Sequence, residues 1–124
     1  MEALEKARLL CGAALDNKAE NVVIMDMRAV SNFTEYFVIC SAYSTKRVQA
    51  IAEGIEEALR KYDIRDEHIE GEREALWVLV DYGDVVAHVF YEKMREFYNL
   101  ERLWRDAPKE CFSAQCTQVK SKRI

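Results

Sequence analysis

Residues 77–90 read WVLVDYGDVVAHVF, two aliphatic runs around a Tyr-Gly pair, and no other stretch of the chain restricts the fold as much. Successive side chains of a strand point to opposite faces. If the run folds back at a two-residue turn, Tyr82-Gly83, then Asp81 pairs with Asp84, Leu79 with Val86 and Trp77 with His88. Those six side chains share one face. Val78, Val80, Val85, Ala87 and Val89 form the other, which is wholly apolar and has to be covered by helices. The first face is the unusual one. It sets two carboxylates opposite each other, which costs a few tenths to about 1 kcal/mol in a sheet. A longer loop changes the partners but not the alternation.

The rest of the chain supplies the covering helices. Residues 2–16 place Leu4, Ala7, Cys11, Ala14 and Leu15 at helical spacing, and Asp16-Asn17-Lys18 ends the run. NVVIMDM (21–27) and EYFVICS (35–41) are short β-rich runs separated by a polar stretch at 28–34. Ser44 or Thr45 caps a second helix with an apolar face of Val48, Ile51, Ala52, Ile55, Leu59 and Tyr62. Residues 68–70 read as an edge strand, 76–81 and 84–91 as the hairpin, and 92–99 as a helix whose apolar stripe runs on through Leu100, Leu103 and Trp104. The expected fold is one α/β domain over residues 1–107, with a mixed sheet of about five strands and flanking helices. Periodicity stops at Pro108, so residues 108–124 are expected to form a flexible tail.

Composition narrows the class of function. Half of the 124 residues are hydrophobic and the formal net charge is −4. Five Lys/Arg against two acids give residues 105–124 a charge of +3, which leaves −7 on residues 1–104. Such a body repels phosphate, so direct nucleic-acid binding by it is not expected. No apolar run is long enough to cross a bilayer and no signal-peptide core opens the chain, which points to a cytoplasmic protein. Cys11 and Cys40 lie in apolar stretches, and Cys111 and Cys116 sit outside any zinc-ligand spacing; reduced thiols and no metal are expected.

Three readings of the paired aspartates stay open on the residues alone. Both can lie in solvent beside a turn, where Asp is common. With Asp26 they can hold magnesium for nucleotidyl transfer, although four glycines in the chain make no phosphate-cradling loop. Or, with Trp77, Tyr82 and His88, they can form an aromatic, acidic surface for a basic partner.

ALWVLVDYGDVVAHVFYEKMREFYNLERLW (75–104) resembles the ribosomal silencing factor family, also called the Iojap family. A tryptophan strand, Asp-x-Gly-Asp, an aliphatic run with His, and Tyr-x-Leu-Glu-x-Leu-Trp follow in the family's order. VVIMDMRAVSNFTEYFVICSAYSTKRVQAIA, upstream, is similar to the family's first half. The resemblance covers residues 2–105 and leaves the Cys-containing tail outside the pattern.

The resemblance implies a nucleotidyltransferase-like fold without catalysis, cofactor, metal or small-molecule substrate. It also implies binding to the fourteenth protein of the large ribosomal subunit, on the intersubunit face, and blocked joining of the small subunit. A homodimer is implied too, and organellar relatives assist large-subunit assembly. Trp77, Asp81, Tyr82, Asp84 and His88 are the expected partner-binding residues, with Tyr98 and Glu101 beside them. The alternative is a magnesium-dependent nucleotidyltransferase-like enzyme using Asp26, Asp81 and Asp84.

Overall fold

A computed structural model of the chain describes residues 1–112. Helix α1 spans Ala3–Asp16 and buries Ala7, Leu10, Cys11, Ala13 and Ala14. Lys18, at φ 67°, closes it: its N–H reaches the Leu15 carbonyl while that of Ala19 reaches Ala14, which satisfies carbonyls the helix leaves free. Strands β1 (Glu20–Asp26) and β2 (Tyr36–Ala42) follow and pair antiparallel. Helix α2 spans Thr45–Arg60; of the two candidate caps Ser44 is the one used, its hydroxyl accepting from the Arg47 N–H at 3.1 Å.

Strands β3 (His68–Glu70), β4 (Trp77–Asp81) and β5 (Val85–Tyr91) come next, then the short helices α3 (Glu92–Tyr98) and α4 (Leu100–Leu103) and strand β6 (Lys109–Cys111). Together they form one mixed sheet in the order β3-β4-β5-β2-β1-β6, with β2 and β5 its parallel pair. The α/β class and mixed sheet are as the residues indicated, with one strand more. That strand is β6, which lies antiparallel to β1 where a flexible tail was expected from residue 108. KEC is too short to show alternation, and it is held by backbone bonds: Asp26 N–H to the Pro108 carbonyl and Phe112 N–H to Val22, both 2.8 Å. The remainder of the expected tail, residues 113–124, lies outside the described residues.

The two faces of the sheet are covered unequally. On one, Val22, Ile24, Val38, Cys40 and the expected row Val78, Val80, Val85, Ala87 and Val89 pack under α1 and α2, forming the main core. On the other, Val23, Met25, Met27, Ile39, Phe90 and Ala107 form a smaller core, roofed by Met94, Leu100 and Trp104. Neither α3 nor α4 buries a residue fully, and Asn99 breaks them apart at φ 42° while capping α4. Arg95 fastens this short roof to the sheet, donating to the Asn21 carbonyl at 2.6 Å, the Ser41 hydroxyl at 3.2 Å and the Glu101 carboxylate at 2.9 Å. Among the described residues the roof stops short of the β4–β5 hairpin end and leaves that part of the face open.

Candidate functional site

The hairpin register decides what stands on the open face. The turn is Gly83-Asp84, closed by the Tyr82 N–H on the Val85 carbonyl at 2.9 Å, and not Tyr82-Gly83. Gly83, at φ 85°, occupies the first central position, where a glycine-first hairpin turn needs positive φ. A β-carbon there would also collide with the Glu67 carboxylate. The register therefore differs by two residues from the expected one: Asp81 pairs with Val86, Leu79 with His88 and Trp77 with Phe90. Alternation survives, but the confrontation of Asp81 with Asp84 does not exist.

The two aspartates serve different faces. Asp81 lies on the open side and accepts from the Gly83 N–H at 2.7 Å. Asp84 is ion-paired at 2.7 Å with Lys6 of α1, on the helix side. Its carbonyl collects the Thr34 hydroxyl and the Glu35 and Tyr36 N–H groups, so the hairpin tip is tied to the loop before β2. Asp26 is occupied as well: it pairs with Arg28 at 2.6 Å, which holds its carboxyl below the ordinary range. Three carboxylates with three separate partners make no common site. Among the described residues no three His, Cys, Asp or Glu side chains converge where a metal ion could sit.

The open region forms a groove of about 430 Å³. Phe37, Leu79, Val86 and His88 come from the sheet, Val30 and Phe33 from the loop before β2, and Trp104 from the end of the roof. Ser31, Asn32 and Thr34 line it too, and among the described residues Asp81 is the one charged side chain in its lining. Phe33 stands 94% exposed at its edge. The loop read as merely polar thus contributes two apolar side chains, and an isolated Phe or Val in a polar stretch gives no periodic signal to reveal it.

His88 lies in the floor and is only 4% exposed. Its Nδ1 accepts from the Trp77 indole N–H at 3.1 Å, and because an indole nitrogen only donates, the proton of the neutral ring is on Nε2. Among the described residues Nε2 meets no hydrogen-bond partner, and the atom is shielded from solvent. An unmet buried donor costs about 1–3 kcal/mol. Aromatic rings continue from here: Phe37 meets His88 edge-on at 4.5 Å, and Trp77 lies 5.0 Å from Phe90 and 4.7 Å from Tyr98.

Of the seven expected partner-binding residues, Asp81 and His88 line the groove, and Trp77 and Tyr98 form the aromatic stack beside it. Glu101 is engaged with Arg95. Tyr82 corrects the expectation of an exposed ring: it is 4% exposed, on the helix side of the sheet. The two-residue difference in register leaves it next to the turn as an inward-pointing residue instead of in the turn. Asp84 is likewise turned to α1. Cys11 and Cys40 are buried, and burial pushes both thiols up, that of Cys40 to about 12.

These features define the class as a small α/β domain with one sheet face closed by two long helices and the other half open. The chain belongs to the ribosomal silencing factor family: the family model described as "Ribosomal silencing factor during starvation" matches residues 1–123. That match extends past the 2–105 of the motif resemblance and takes in the tail. The chain is 44% identical over 108 residues to a ribosomal silencing factor of Halalkalibacterium halodurans, covering 87% of this chain and 92% of the relative. It is 46% identical to that of Bacillus subtilis, covering 82% and 86%. The chloroplastic Iojap protein of Zea mays is 31% identical, and the match spans 46% of its length. A crystal structure of a Chromobacterium violaceum protein superposes with a TM-score of 0.83 at 30% identity, covering 85% of this chain and 88% of that one.

The buried histidine gives the fold a pH signature. Burial lowers the His88 pKa from 6.5 to about 3. Below pH 6.5 the unfolded chain binds a proton that the folded chain refuses, so stability is fully present above pH 6.5 and is lost as pH falls toward 3. The loss is about 1.4 kcal/mol per pH unit. Urea unfolding at pH 7 and pH 5 should therefore destabilise the wild type by about 2 kcal/mol more than His88→Leu. Parallel pH profiles for the two would contradict the placement of this ring.

Proposed function

We propose that this chain is a translation repressor that seats its open sheet face on a basic protein of the large ribosomal subunit. The fourteenth protein of that subunit, on the intersubunit face, is the partner the family resemblance implies, and joining of the small subunit is what occupancy prevents. The observation that carries the proposal is the composition of the groove: mainly aromatic and aliphatic walls in which, among the described residues, Asp81 is the only charge. A cationic protein surface with an apolar side chain complements both features, whereas phosphate is repelled. The relatives' names, ribosomal silencing factor in two bacteria, support the same role. Steric exclusion needs no chemistry. About 8 kcal/mol of binding free energy, a micromolar dissociation constant, is sufficient if the factor is abundant.

The two aspartates separate site from scaffold. Co-sedimentation with isolated large subunits is expected for the wild type and is expected to fall at least tenfold in affinity for Asp81→Lys, read on protein shown by circular dichroism to be folded, since the change also removes the acceptor of the Gly83 N–H. Asp84→Lys instead confronts Lys6 and should lower the melting temperature. Undiminished binding of folded Asp81→Lys would remove the groove from the interface.

The homodimer belongs to the same proposal, and the apolar elbow between α3 and α4 is the surface that supports it. Phe97 is 77% and Leu103 69% exposed there, flanked by Glu96, Arg102 and Arg105. Opposite charges around an apolar centre suit a two-fold contact, in which each charge meets its complement on the other copy. Sedimentation velocity should show a dimer that Phe97→Glu converts to monomer. A dimer unaffected by that change would place the contact elsewhere.

A further inference from the structure

Resting on the proposed docking of a protein at the open face, we infer that His88 is a specificity-determining residue whose Nε2–H bonds to an acceptor brought by the partner, a backbone carbonyl at the tip of the docked segment. The geometry behind it is that of the imidazole ring. The two nitrogens of the ring point in divergent directions, so with Nδ1 committed to Trp77 at 3.1 Å, Nε2 faces away from Trp77. It is there that the described fold supplies no acceptor. Accepting from Trp77 requires only one lone pair, which an amide oxygen would provide as well. A histidine adds a second, donating group that the fold itself leaves unused.

The surroundings make this donor selective. His88 lies in the floor of the groove among Phe37, Leu79 and Val86, and its Nε2 atom is shielded from bulk solvent. Of the rings that touch His88, Phe37 is the one that also lines the groove, and it is half-buried. Phe37 packs edge-on against the imidazole at 4.5 Å, and the inference requires that it turn aside when the partner docks, a side-chain rotation of a kind common at interfaces. Because the ring is neutral, the bond carries no charge. It discriminates by the presence of an acceptor at one point, while Asp81 at the groove rim attracts any cation. A docked apolar side chain without a carbonyl at that point would leave the donor unmet, as the described residues do.

Two amide substitutions divide the two roles of the ring. His88→Asn places a carbonyl oxygen near the Nδ1 position and can still accept from Trp77, but it has nothing at the far edge. His88→Gln reaches further and places its N–H₂ near the Nε2 position. Binding to isolated large ribosomal subunits is expected to weaken about tenfold for Asn and to stay within about threefold of wild type for Gln, the size of one neutral hydrogen bond. The salt dependence of binding should be the same in all three proteins, since no charge is altered. Leucine replaces asparagine in the comparison if the latter does not fold. Wild-type affinity in the Asn or Leu variant, equal losses in both amides, or a reversed order overturns the inference. A wild type that does not bind the particle at all is a different result and defeats the proposed function instead.

Discussion

The positive φ of Gly83 is the constraint on which the open face depends. A side chain at that position would meet both the strain of left-handed backbone and the Glu67 carboxylate. With glycine there, the hairpin closes at Gly83-Asp84, and the pairing of β4 with β5 follows from it. Leu79, Asp81, Val86 and His88 are thereby gathered on the open side, while Tyr82 enters the helix-side core and Asp84 meets Lys6. A turn one residue earlier would have put two carboxylates opposite each other. The sequence feature that raised the question of paired charges is thus resolved by the turn itself.

The second determinant is unequal coverage. Two helices of fourteen and sixteen residues close one face, whereas seven and four residues roof the other. The short roof cannot span the sheet, and Arg95 holds it at the end marked by Asn21 and Ser41. What the described residues leave uncovered is mainly apolar, lined by Phe33, Phe37, Leu79, Val86 and Trp104 beside Ser31, Asn32, Thr34 and Asp81, with the buried His88 donor at its floor. An apolar surface beside a carboxylate is what the proposed contact with a basic protein would use. The carboxylates that an enzyme would have to bring together are each bound to a different group.

Much of this was legible in the sequence, for reasons that can be named. The helix of Val48, Ile51, Ile55 and Leu59 follows from its periodicity and its Ser44 cap, and the all-apolar row from Val78 to Val89 follows from strict alternation. Trp77, Asp81 and His88 were placed on the correct face because an even difference in register preserves parity. Tyr82 and Asp84 exchange roles because the turn moves by one residue, so that Asp84 enters the turn and Tyr82 flanks it; Gly-X is the available signal for the turn used. Strand β6 was invisible because three residues held by main-chain bonds have no side-chain pattern. Phe33 and Val30 were missed because a loop side chain acquires its neighbours only when distant strands assemble beneath it.

The central claim is that occupancy of the large subunit by this compact acidic domain keeps the small subunit away. The most direct test is light scattering from purified small and large subunits mixed with increasing amounts of the protein. The account predicts that joined particles decrease in proportion to the large subunits occupied, with no nucleotide consumed. Subunits that join at the normal extent while the protein remains bound would contradict it.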